Sequence, residues 1–184
     1  MNLKKHLLIL IMASLLSCYT RVYRDINMDF GVVRTVVVMP LVNLSSNQMA
    51  AERVRDVFIT MLLAASELYV LPPGEVARSI SMAGIQNPTA PTAADIIKLG
   101  NITKADTVIT GTVKEYGEVR SGTATSNVIS ISIQMAETQT GRVVWSASTT
   151  RGGIGITDRL FGGGGKPMND ITEKAINDLI HELF

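Results

Sequence analysis

Apolar positions along this chain follow two periods, and the switch between them divides it into helical and strand-forming parts. Thr35–Val42 (TVVVMPLV) is an almost unbroken apolar run, as expected of a short strand buried on both faces. Pro40 predicts a bulge or a strand end within it. Ser45 and Gln48 have the spacing of a capping box. Val54, Val57, Phe58, Met61, Leu62 and Ala65 then recur at helical spacing, with Glu52, Arg53, Arg55 and Asp56 off that stripe. Leu68–Leu71 predicts a short strand closed by Pro72 and Pro73, and a helix over about residues 74–83 stops at Gly84. After a proline-bearing loop, Thr92 with Asp95 caps a third helix that carries Ile96, Leu99 and Gly100.

From Thr107 the period becomes two. Thr107–Val113 is β-branched apart from Gly111. In Val128–Met135, Ile129, Ile131, Ile133 and Met135 alternate with Ser130, Ser132 and Gln134, which predicts an antiparallel sheet wet on one side. A turn around Gly141 leads to a return strand, Arg142–Thr149, with Val143, Trp145 and Ala147 on one face. Asp170 and Glu173 open a last helix with Ile171, Ala175, Leu179 and Leu183 inward. The order predicts an α/β (α+β) fold: a single mixed β-sheet with helices packed on one of its faces, over residues 35–184. Residues 18–34 show no period and read as a tether. Residues 152–167 read as a Gly-rich loop. Within it Arg159, Leu160 and Phe161 form a candidate partner contact, because exposed apolar residues on a pliant loop suit docking.

Composition narrows the class. Of 184 residues, 46% are hydrophobic and 18% charged, too apolar for a disordered chain. The formal charge of +1 supplies no field for nucleic acid. One Cys excludes both an internal disulfide and a cysteine metal cage.

That Cys closes the first segment, MNLKKHLLILIMASLLSC. Lys4 and Lys5 precede an apolar run, Leu7–Leu16, that is too short to span a bilayer, which takes about 20 residues. The ending Leu15-Leu16-Ser17-Cys18 resembles the bacterial lipobox, in which cleavage precedes a cysteine that is then acylated. The resemblance implies a lipoprotein signal peptide over residues 1–17 and a lipidated Cys18 anchored to membrane by more than one acyl chain. Tyr19 stands where an Asp favours inner-membrane retention in enteric bacteria. It therefore favours the outer membrane, with the domain on the periplasmic side.

Three segments of the domain resemble the TolB N-terminal and CsgG-like superfamily, in that family's order. They are VVVMPLVNLSS (36–46), KADTVITGTV (104–113) and AETQTGRVVWSAS (136–148). Members with a lipobox include CsgG-type secretion lipoproteins, LpoB-type activators of penicillin-binding proteins and the GNA-type antigen group. In this chain Gly111 is expected to admit a close neighbour, Gly141 to make a turn and Trp145 to anchor the core.

Catalytic patterns are missing from the sequence. Gly162–Lys166 fails as a phosphate loop, since Leu160 and Pro167 occupy positions that need Gly and Ser or Thr. No G-x-S-x-G or S-x-x-K occurs. His181 is the only His beyond the signal segment and sits at a helix C-terminus, where the dipole favours a cation. The expected protein is non-catalytic, with no cofactor, no metal, no nucleic acid and no small-molecule substrate. It is expected to act as an assembly or adaptor component held to membrane by lipid, with other envelope proteins or further copies of itself as partners. A CsgG-type ring or pore and an LpoB-type activator are the other readings.

Overall fold

A computed structural model describes residues 21–65, 67–122, 124–154 and 165–183. In chain order its elements are β1 (Arg21–Arg24), β2 (Thr35–Val38), β3 (Val42–Asn43), α1 (Ala50–Ala65), β4 (Tyr69–Val70), α2 (Pro73–Ala83), α3 (Ala93–Thr103), β5 (Thr107–Ser121), β6 (Ala124–Glu137), β7 (Val143–Gly152) and α4 (Met168–Leu183). A single 3-10 turn occupies Phe30–Val32. The strands form one mixed sheet in the order β1-β7-β6-β5-β2-β4, with β3 also beside β5. β2 and β3 run parallel to β5, and the hairpins β5–β6 and β6–β7 are antiparallel. This is the α+β architecture expected from the alternation of periods.

The helices cover both faces, not one. β2 shows why: it is apolar at both parities. Val36 and Val38 join Phe58 and Leu62 of α1 and Ile176 and Leu179 of α4 in the larger core. Val37 and Met39 point the other way, against Val76 of α2 and Ile96 and Leu99 of α3. The second core reaches only as far as Val108 and Ala136 at the near ends of β5 and β6. Beyond them, Ile129, Ile131, Ile133 and Met135 stay in the larger core, while Ser130, Ser132 and Gln134 make the opposite parity polar, with no helix over them among the described residues.

From Arg21 onward, the segment read as a tether is part of the domain. Arg21–Arg24 pairs along β7, from Arg21 opposite Ser148 to Arg24 opposite Trp145. Phe30 and Val33 enter the larger core, and the Arg24 guanidinium lies 4.2 Å from the Phe30 ring centroid. β1 lies beside β7 while β2 lies beside β5, so residues 25–34 must cross from the sheet's edge to its middle. A crossing has neither helical nor strand period, which is why the sequence pattern missed it. Asp106 receives its far end, accepting the backbone N–H groups of Arg34 and Thr35.

Two smaller expectations also change. Ser45 and Gln48 do not form a capping box. The Ser45 hydroxyl donates to Asn43 Oδ1, and Asn47 Oδ1 accepts the Met49 N–H just ahead of α1. In β7 a register shift pairs Met135 with Trp145 but Ala136 with Val143. The bulge turns Val144 inward beside Trp145 and leaves Val143 exposed. Elsewhere local chemistry holds. Pro40 falls in the gap between β2 and β3, where Arg55 Nε donates to Val38 O at 3.2 Å. Gly84 ends α2 in the left-handed region at φ 66°, and Thr92 with Asp95 forms the reciprocal capping box of α3.

Candidate interaction surface

The hairpin β5–β6 outgrows the rest of the sheet. Residues 116–127 have no apolar alternation, yet pairing runs unbroken from Tyr116 opposite Ile129 to Ser121 opposite Ala124. Past a register shift between Val113 and Glu115, β5 loses its other neighbour, because β3 ends with Asn43 opposite Val113. Glu115–Ser121 therefore presents an edge with no strand partner among the described residues. A groove of about 230 Å³ runs beside it, lined by Leu44, Ser45, Tyr116 and Val119. Leu44 is 67% exposed on its rim. The arm carries Glu115, Glu118 and Arg120, and the Arg120–Glu118 pair at 3.5 Å is exposed on both sides, where an ion pair adds little stability.

The uncovered face of the sheet begins at the base of this arm. Thr110, Thr112, Ser132 and Gln134 floor a second groove of about 320 Å³, walled by residues 89–91. Farther out, the Thr150 hydroxyl donates to Ser130 Oγ at 2.9 Å across the strands. The face is a field of hydroxyl and amide groups, suited to hydrogen-bonded contact rather than to burial of apolar ligand.

Cys18, Arg159, Leu160 and Phe161 lie outside the described residues. The feet of the Gly-rich segment are described, and both stand on Asn127. The Gly153 N–H donates to Asn127 O at 2.8 Å, and Asn127 Nδ2 donates to Lys166 O at 2.9 Å. The described ends of the segment, Gly153 and Lys166, are therefore both fastened to β6 in the far half of the hairpin. Cations gather there as well. Arg151 pairs with Asp178, and the neighbouring Lys166 side chain and its charge hold the Lys174 ammonium below the usual lysine range. The sequence pointed to the Gly-rich segment. It did not point to the hairpin arm, because YGEVRSGTATSN has no apolar alternation to mark it as strand.

Among the described residues no cluster of His, Cys, Asp and Glu could hold a metal ion, and no helix is long and apolar enough to cross a membrane. Structural glycines replace chemistry at the positions singled out earlier. A Cβ at Gly111 would stand 2.6 Å from Ile133 Cδ1, and one at Gly141 would stand 2.6 Å from Ala93 O. Gly141 also adopts φ 69°.

The sequence model of the GNA1162-like lipoprotein family matches residues 30–157 of the 184. The chain belongs to this family. Members of the wider fold appear among solved structures. PelC from Paraburkholderia phytofirmans, a dodecamer, superposes with TM-score 0.62 at 16% identity over 90% of this chain and 96% of that one. GNA1162 from Neisseria meningitidis gives 0.56 at 20% identity over 80% and 99%, and the LpoB C-terminal domain from Salmonella enterica 0.52 at 12% over 69% and 87%. At these identities the likeness is one of fold. No curated protein sequence matches the chain. The GNA1162-like lipoprotein part of the expected resemblance holds, and the LpoB-like part holds as a likeness of fold; the CsgG part gains no support from these matches.

Proposed function

We propose that this GNA1162-like lipoprotein is a non-catalytic assembly component, anchored through a lipidated Cys18 to the outer membrane on its periplasmic side. It works by binding envelope proteins or further copies of itself. The observation that carries the reading is the edge of the β5–β6 arm, Glu115–Ser121, which has no strand partner among the described residues and has a groove of mixed polar and apolar lining beside it. An open edge offers ready-made backbone donors and acceptors to another chain. The dodecameric PelC of like fold supports self-assembly as the form this takes.

The remaining readings are constrained by length. A transmembrane β-strand takes about 9–11 residues with an apolar outer face. The free part of β5 has seven residues, three of them charged, which argues for a ring that does not span rather than a pore. An LpoB-type activator would have to reach a synthase across the periplasm. Only residues 19 and 20 separate Cys18 from β1, so an activator of this build would serve a partner at its own membrane.

In-cell crosslinking followed by native mass analysis of detergent extracts tests the proposal, with Gly117→Lys as the probe. Nothing lies within 4 Å of a Cβ at Gly117, so the change fits the monomer, while a lysine on an edge strand opposes pairing. Wild type should give a complex that Gly117→Lys weakens at least several-fold. Unaltered complexes, or none in wild type, would move the binding surface away from the arm or remove it.

A further inference from the structure

The edge of β1 offers a different surface. Val22 is 39% exposed, Tyr23 51% and Ile26 95%, and all three lie within eight residues of Cys18. The register assigns them directions. Val22 stands opposite Ala147 on the α4 side of the sheet, and Tyr23 stands opposite Ser146 on the uncovered side. Ile26 projects from the turn that follows, where the Asn27 N–H donates to Asp25 Oδ1 and the Asp25 N–H to Val144 O. Arg142 holds the same Asp25 carboxylate at 3.5 Å, so the turn is built into the domain. An isoleucine held on a fixed turn and left almost wholly in water is poorly placed for a monomer in solution.

The chain between Cys18 and Arg21 limits what can cover it. Three residues, fully extended, reach about 10 Å. A domain of this size is roughly 40 Å across. An acylated Cys18 would therefore keep the start of β1 within a quarter of the domain's width from the bilayer. The domain has too little slack to rotate freely and must present the β1 side to the lipid.

We infer that Val22, Tyr23 and Ile26 form a membrane-docking edge, and that the occupant is the surface of the same leaflet that holds the acyl chains. The inference rests on lipidation of Cys18. Tyr23 suits the headgroup level, with its ring toward the chains and its hydroxyl toward water, while Ile26 enters the boundary of the hydrocarbon. The backbone groups along β1 that have no strand partner among the described residues remain in the wet interfacial zone. This leaves the β5–β6 arm on the other side of β7, free for protein contact.

The test uses the full lipidated protein in vesicles of phosphatidylethanolamine and phosphatidylglycerol. Cys18 is the only Cys, and as a thioether it cannot be labelled, so an introduced thiol is unique. Ile26→Cys and Met82→Cys each receive an environment-sensitive fluorophore. Met82 is also exposed but lies on α2, toward the β4 edge of the sheet. Spin-labelled lipid should quench the label at 26 at least threefold more than the label at 82. Equal quenching at the two sites, in a protein whose N-terminal peptide has the acylated mass, overturns the docking edge and leaves the lipoprotein reading intact. A label at 26 shielded from aqueous iodide yet unquenched by lipid assigns the edge to a second copy and likewise overturns the inference. An unacylated N-terminal peptide overturns both.

Discussion

Trp145 shows how one side chain can close the domain. It is fully buried in the larger core, and its indole Nε1 donates to Glu182 O at 3.2 Å, tying β7 to the end of α4. Trp145→Ala should lower stability by about 3–5 kcal/mol in denaturant melts, the range for a large buried aromatic. Trp145→Phe should recover most of that loss, since packing outweighs one hydrogen bond. Thr107 predicts the opposite sign. It is wholly buried at the start of β5, and its hydroxyl has no hydrogen-bond partner among the described residues. Thr107→Val keeps the shape and removes a polar atom whose burial costs about 1–3 kcal/mol when unpaired. A melt should show the variant at least as stable as wild type, and a clear loss would mean that a partner for the hydroxyl exists. Both residues were legible only in part. The bulk of Trp145 marked it as core, but no pattern in the sequence could show that Thr107 would have no partner.

At the scale of elements, the best-read features were those whose chemistry is local. The capping box of α3 needs only Thr92 and Asp95, three residues apart, and it forms as spaced. The Thr92 hydroxyl donates to Asp95 Oδ2 at 2.7 Å, and this bond, reinforced by the Thr92 backbone N–H, holds the Asp95 carboxyl below its ordinary value. A depressed carboxyl contributes stability above its unfolded pKa and loses it as pH falls through the folded one. Thr92→Ala removes the N-cap side chain itself and should cost about 1 kcal/mol at neutral pH, as N-cap losses do. The gap to wild type should narrow in thermal melts taken at pH values below the carboxylate range. Ser45 and Gln48 have equivalent spacing, yet Asn43 Oδ1 takes both the N–H and the hydroxyl of Ser45, and Asn47 Oδ1 takes the Met49 N–H. The bulge in β7 was equally hidden, because an inserted residue reverses side-chain parity without changing composition.

For the whole molecule, the fold class was readable from the switch of period, whereas the coverage of the sheet was not. Which face a helix packs on depends on how connections cross the sheet. Only the double-sided apolar run of β2 hinted at a second layer. The binding surface was half readable: glycine content marked the loop, but its attachment to Asn127 is a tertiary fact. If the loop docks on a partner, replacing Leu160 and Phe161 together by Ser should leave the melting temperature within a few degrees of wild type and weaken crosslinked complexes. A loss of several kcal/mol in the isolated protein would instead assign the pair to the core.

The pairing of β1 with β7 has a consequence for how the protein is made. The strand synthesised first has as its described partner the strand synthesised last, whereas β5 and β6 meet across a turn of two residues. Closing so long a loop is slow compared with zipping a hairpin. β1 therefore has to wait for β7, and on the proposed route through Cys18, cleavage and acylation would act on a chain whose sheet is still unsealed at that edge.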